Sequence, residues 1–366
     1  MALDLGEKAW ELGFTVGLGQ PARRRRVQAG NREQLLKEVA RAKKRFGLPE
    51  GAEVLSCYEA GGEAFWVHRF LEGLGVGNVV VDSASILVER RRRRAKSDRL
   101  DVQKLAPMLF RYHNGERKVW RVVRVPGEEA EDQRHLQRSL VRSKRERNRV
   151  ASRIRGLLKT QGVDLARVRI VRLAEEDLGR LRGWKRKALL AGLQGRLGVE
   201  VQRLQLTLGQ IRSQKKERAE LLKHGSDARL KIVRQLMLLK GIGINGGFTL
   251  SNELFAWRKF SNRKEVGGSA GLTPTPFNSG ESPREQGIGK DGNSLVRALM
   301  IELAWCWLRW QPQSELSLWF EGRFGPAGKR ARKIGIVAVA RKLLIQLWRF
   351  VETGEVLPGA KLKLEN

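Results

Sequence analysis

Glu53-Val54-Leu55-Ser56-Cys57-Tyr58-Glu59-Ala60-Gly61-Gly62 is the stretch on which the fold turns. Residues 53–56 read as a short buried-type strand, and Glu59 directly follows it in a turn closed by two glycines. A helix over 63–74 and a second buried strand over 78–81 come next. Upstream, Glu33 to Phe46 places Leu35, Leu36, Val39, Ala42 and Phe46 at helical spacing. Before that come short strands over 2–5, 9–17 and 23–28, the last with its basic side chains facing outward. Downstream, 98–110 reads as a helix. The order β-β-β-α-β-α-β-α predicts a mixed sheet flanked by helices over 1–125.

Beyond residue 126 the pattern changes. Leu136, Leu140, Ser143, Arg147, Val150, Ile154 and Leu157 alternate spacings of four and three, and so do Leu197, Val201, Leu204, Leu208 and Ile211. Such seams predict a coiled-coil-like helical hairpin over 126–228 that packs on a partner. Its outer faces carry Arg142, Lys144, Arg145, Arg149, Lys215 and Lys216, read either as a solvated face or as nucleic-acid contacts. A mainly helical third region spans 229–366, with glycine-rich loops at 241–247 and 267–292 and helices near 294–310 and 334–352. Trp305, Trp307 and Trp310 read there as core residues. The expected fold class is thus α/β plus all-α.

The 72 lysines and arginines outnumber 39 acids, for a formal charge of +33. A compact chain so charged repels itself, and a polyanion relieves that repulsion. DNA or RNA is therefore the expected partner. Cys57 and Cys306 are too few for a disulfide framework, and the four histidines form no ligand cluster. No apolar run reaches membrane-spanning length, so the expected location is cytoplasmic and nucleoid-associated.

In so basic a chain the acids at key positions stand out. Asp4 ends the first strand, Glu59 follows another, and Asp98 and Asp101 share one face at a helix start. Clustered carboxylates repel one another unless divalent cations neutralise them. Two hard cations, Mg2+ or Mn2+, held by Asp4, Glu59, Asp98 and Asp101 suit phosphoryl displacement. Taken singly, each acid also suits a surface or capping role. The run Arg90, Arg91, Arg92, Arg93, Arg94 with Lys96 reads as a basic loop beside such a site. Gly241-Ile242-Gly243 after an apolar run resembles a helix-hairpin-helix turn, in which bare backbone N–H groups approach a phosphate; a plain packing turn is the alternative.

Tyr58-Glu59-Ala60-Gly61-Gly62 and Lys96-Ser97-Asp98-Arg99-Leu100-Asp101 resemble the motifs of the RuvC-like (RNase H-like) DEDD domain of Piv/MooV, or "one-ten", insertion-sequence transposases. Leu238 to Gly243, Gly271-Leu272-Thr273-Pro274, Ser279-Gly280, Gly287 to Asn293 and Arg297 follow in the family's order. Glu7, Lys240 and Gly289 depart from its pattern without removing an acid. The resemblance implies a RuvC-like nuclease domain, a helical spacer used for oligomerisation as a dimer or tetramer, and an α-helical transposase domain. It also implies that Ser279 is a nucleophile forming a phosphoserine link to DNA, and that a structured bridge RNA guides donor and target DNA. Arg284, Lys290 and Arg297 are candidates to hold phosphate. Ser279 is remote in sequence from Asp101, so their joint action needs docking within one chain or between subunits. The rivals are a junction resolvase that uses water and a non-catalytic nucleic-acid-binding scaffold.

Overall fold

The computed structural model describes residues 1–62, 64–86, 98–279, 282–290 and 292–363, with the backbone alone at 84, 98–101, 275–279 and 282–286. Two compact units emerge: Met1–Gly127 with Trp257–Phe260, and Glu128–Ala256 with Ser261–Asn366.

In the first unit, β1 (Ala2–Leu5), β2 (Ala9–Phe14), β3 (Arg23–Gln28), β4 (Leu55–Glu59) and β5 (Gly77–Val81) form one sheet in the order β3-β2-β1-β4-β5. β2 alone runs against the rest, because β1 and β3 pair with it antiparallel while β4 is parallel to β1 and β5. Strand alternation divides the apolar side chains between two faces. Leu3, Trp10, Leu12, Tyr58 and Val80 pack against α1 (Arg32–Arg45) and α2 (Ala64–Gly73). Ala2, Cys57 and Val81 lie under α3 (Asp98–His113) with its Val102, Leu105, Ala106 and Leu109. Gly13 lets α3 approach closely, since a Cβ there would stand 2.2 Å from Val102 Cγ1. Two boundaries differ from the sequence reading: β4 runs over Leu55–Glu59, so Glu59 is its last residue and not part of a turn after residue 56, and β2 stops at Phe14 instead of residue 17. Cys57 and Tyr58 extend β4 because their alternate side chains fill the two cores.

The second unit opens with a hairpin of α4 (Glu128–Thr160) and α6 (Ala191–His224), joined through a 3-10 turn at Ile170–Arg172 and α5 (Glu175–Leu178). Val150, Ile154 and Leu158 meet Leu197, Val201 and Leu204, capped by Ile170, Leu173 and Leu178 from the connection. At the other end the seam turns polar: Gln137 is buried where Leu136 was expected, and its Nε2 donates to Thr249 Oγ1 at 2.8 Å. There α4 meets α8 (Ile244–Leu250), which follows α7 (Ala228–Leu238) and widens into a π-helical turn at Ser251–Phe255. The hairpin and the C-terminal helices thus belong to the same unit.

Residues 267–292, expected as a loop, instead hold the end of α9 (Arg263–Ser269) and an antiparallel hairpin of β6 (Pro274–Ser279) and β7 (Ser282–Ile288). Next come α10 (Ser294–Trp310), α11 (Glu315–Phe324), which the periodicity missed, and α12 (Lys329–Thr353). Of the three tryptophans expected in the core, only Trp307 is buried; Trp305 and Trp310 are 45% and 48% exposed because they lie off the α10 stripe of Val296, Met300 and Leu303.

Candidate functional site

The sheet register sets Asp4 opposite Glu11 on β2. One step past the Leu3–Tyr58 pair, it also brings Asp4 level with Glu59 on β4. Alternation puts these three positions on the face that α3 covers. The helix runs against β1 and β4. Its Val102 lies over Gly13, the partner of Ala2, and its Leu105 carbonyl accepts from Cys57 Sγ at 3.8 Å. At its far end, burial and Arg117 lower the pKa of His113, while Glu53, just ahead of β4, opposes them. The first turn of α3, with Asp98 and Asp101, therefore stands at the strand end that carries Asp4 and Glu59. Four backbone positions chosen from sequence converge on one end of the sheet.

Of Asp98 and Asp101 the backbone alone is described. Among the described residues no three His, Cys, Asp or Glu groups are gathered as a metal site. Sequence reasoning missed Glu11, whose Oε1 lies 3.6 Å from Arg26 Nε on the edge strand. Alternation along β2 was visible, but only the register makes Glu11 a neighbour of Asp4.

In the second unit, Ser279 ends β6 and pairs with Ser282 across the tip of the hairpin, with Arg284 opposite Phe277. The base of that hairpin is tightly bonded. Gly289 N donates to Thr273 O at 2.9 Å, Lys290 N to Gly271 O at 3.2 Å, and Asn293 N to Ser269 O at 2.8 Å. Arg297 Nη1 donates to the carbonyls of Ala270 (3.0 Å) and Lys290 (2.9 Å). Gly292 is obligatory here, at φ +81° and with Ser269 O only 2.4 Å from where a Cβ would stand.

Asn293 also caps α10 and gives its amide to Glu253 Oε2 at 2.7 Å. Fully buried Glu253 takes Arg138 through both oxygens, at 2.6 and 2.9 Å, and Arg134 at 3.2 Å. Burial pushes the Glu253 pKa up, but the Arg138 bond, the two guanidinium charges and Asn293 outweigh it and hold the carboxyl below its ordinary range.

Residues 233–317, which include this hairpin, match the model of a family described as "Transposase IS116/IS110/IS902 family". The curated protein "Putative transposase y4rJ" of Sinorhizobium fredii (strain NBRC 101917 / NGR234) is 38% identical over 378 residues, covering 99% of the chain and 94% of that relative. The chain belongs to the IS116/IS110/IS902 family of transposases. A second protein of that organism, "Putative transposase y4qE", is 26% identical over 326 residues, or 81% of this chain and 74% of its own length. As a transposase the chain is a DNA-processing enzyme.

The transposase's basic candidates divide by environment. Arg90 to Arg94 and Lys96 lie outside the described residues. Arg297 braces the hairpin base, and exposed Lys290 stands beside it at φ +59°. Gly241, at φ +98°, packs against Trp310 and Cys306, whereas Gly243 caps α8 with open space around it. Lys363 Nζ donates to the carbonyls of Ile242 (2.7 Å) and Met237 (2.6 Å), so the C-terminal segment holds this turn. Among the described residues no helix of the transposase is long and apolar enough to cross a membrane.

Proposed function

We propose that this transposase cleaves, exchanges and rejoins DNA strands with a carboxylate-held magnesium site in a RuvC-like first unit and with Ser279 as nucleophile. The observation that carries the reading is the convergence of Asp4, Glu59 and the first turn of α3 on one end of a sheet in which only β2 runs against the rest. Carboxylate oxygens suit a hard cation, and like charges on adjacent strands favour one, so the residue types fit Mg2+ or Mn2+. Asp4, Glu59, Asp98 and Asp101 would hold it, as two ions. Held by these carboxylates, such a cation would supply Lewis-acid chemistry, the lowering of a hydroxyl pKa and the neutralisation of charge on a leaving oxygen.

Ser279 does the covalent work. Its Oγ–P bond forms as a P–O bond of the DNA backbone breaks, and the hydroxyl proton goes to the released oxygen. The reverse step joins a new strand, and the phosphoserine ester retains the bond energy in between. Arg284, Lys290 and Arg297 assist by holding phosphate, as do Arg90 to Arg94, Lys96 and the backbone at Gly241 and Gly243. A structured bridge RNA chooses donor and target DNA, and the enzyme works as a dimer or tetramer at the nucleoid.

The test is denaturing electrophoresis of a reaction on labelled DNA. A covalent protein–DNA adduct is expected that requires magnesium and disappears in Ser279→Ala. Asp4→Asn and Glu59→Gln should lose cleavage and keep DNA binding. An adduct that persists in Ser279→Ala refutes the nucleophile and leaves a nuclease that uses water.

A further inference from the structure

On α4, Lys144, Arg147, Asn148, Ala151, Ser152 and Arg155 follow one another at offsets of 3, 4, 7, 8 and 11 from the first. They share one helix face. The last five, with Val171 from the 3-10 turn, line a groove of about 480 Å³. Its ends are arginines and its floor is the buried Ala151. Asn148 Oδ1 accepts from Arg147 Nε at 3.1 Å and Nη2 at 2.8 Å, which fixes that guanidinium at the groove.

The neighbouring arginines are otherwise engaged. Arg149 and Arg153 pair with Glu146, and Arg153 and Arg203 with Glu200. Among the described residues neither Arg147 nor Arg155 meets a carboxylate.

At the N-terminal end of this face a second observation points the same way. Arg218 of α6 is 3% exposed, and the partners of its guanidinium are all uncharged. Its Nη1 donates to Gln137 Oε1 at 3.0 Å and Asn245 Oδ1 at 2.7 Å, and it lies over the Phe248 ring. Its Nε has no partner. Lys144 Nζ reaches the same Asn245 oxygen at 3.2 Å. Burial and the charges of Arg218, Lys215 and Arg147 lower the Lys144 pKa, with only Glu302 opposing them. Burying a cation without a counter-charge is unfavourable, and gathering others around it adds repulsion. An anion drawn to this end relieves both.

We propose that the α4 face from Lys144 to Arg155, ending beside Arg218 and Lys215, is a docking track for the sugar-phosphate backbone of duplex DNA. Eleven residues of helix span about 16 Å, the rise of about five base-pair steps. A linear polyanion matches that length where a single phosphate does not, and DNA is the polyanion a transposase handles. The track lies wholly in the second unit and does not depend on the carboxylate or serine assignments.

The experiment measures binding of the full-length protein to a duplex DNA fragment by fluorescence anisotropy across a salt series. In the variant Lys144→Gln, Arg147→Gln, Arg155→Gln, the slope of log affinity against log salt should fall by about 2.7, and affinity near 150 mM salt by roughly 100-fold, as three lost phosphate contacts require. Arg149→Gln, which removes a cation already paired, should stay within about twofold. If the triple variant does not fold, Arg155→Gln alone removes an exposed side chain and should reduce the slope by about one. An unchanged slope in either variant overturns the track. A second arm uses a structured RNA of similar length, and loss confined to RNA overturns the assignment to DNA.

Discussion

Two buried charges in the second unit stand within one polar belt and are treated oppositely. Glu253 is enclosed by Arg134, Arg138 and Asn293, so its charge is answered inside the protein. Arg218 rests on amide oxygens and an aromatic ring. The first unit shows the ordinary arrangement: its buried Ser56 and Asn78 bond each other at 2.6 Å, and Asn78 reaches His68 at 2.9 Å. An internally neutralised charge holds helices together, whereas a buried charge without an opposite leaves its positive potential to act on its surroundings.

The largest effect that could break this comparison is expected from Glu253→Ala, which strands two guanidinium groups. It should destabilise the second unit by about 3–5 kcal/mol, read from thermal or urea unfolding. A loss below about 1 kcal/mol means that Arg134 and Arg138 find water instead. Gly13→Ala comes next, as a test of the apolar packing in the first unit. Its methyl would drive Val102 away and should cost about 1–3 kcal/mol. Strand cleavage should fall with it if Asp98 and Asp101, which α3 carries, belong to the proposed metal site.

A graded effect follows from pH. The folded-state pKa of Glu253 lies below its unfolded value, so its contribution is full above the unfolded pKa and is lost as pH falls through the folded one. Acid unfolding of the second unit should show this decline below about pH 4.3, and Glu253→Gln should flatten it. An equally steep decline in that variant would assign it to other acids. The smallest effect on stability is expected from Arg218→Met. Replacing a buried cation by an apolar chain of similar length should change stability by less than about 1 kcal/mol, or improve it. DNA affinity should drop all the same, and a variant as unstable as Glu253→Ala would show that Arg218 is compensated after all.

Most of the first unit was legible because strand alternation and helical spacing report burial directly. The strands over 2–5 and 23–28 have the ends that the sequence suggested, and α1, α2 and α3 lie close to theirs. What alternation cannot give is register, so Glu11 went unnoticed beside Asp4 until β1 and β2 were paired. In the second unit the apolar seam held where Val150 and Ile154 meet Leu197 and Val201, but it continues through Leu158, with the expected Leu157 only partly buried beside it. It misled around Leu136, because α4 there packs on α8 through hydrogen bonds that have no period in hydrophobicity. The hairpin of β6 and β7 was hidden for a related reason. Its glycines and prolines read as loop, while the bonds that close its base involve backbone groups and Arg297.

Cys57 gives the first unit a stopwatch. It is fully buried beneath α3, and burial pushes its thiol up to about 12. At neutral pH almost no thiolate exists there to react. Cys306, half-buried in the second unit, has no such cover. An alkylating reagent should therefore mark Cys306 promptly and Cys57 only during the moments when α3 lifts from the sheet. The second labelling rate counts those openings in the native enzyme, and DNA that engages the first turn of α3 would slow it.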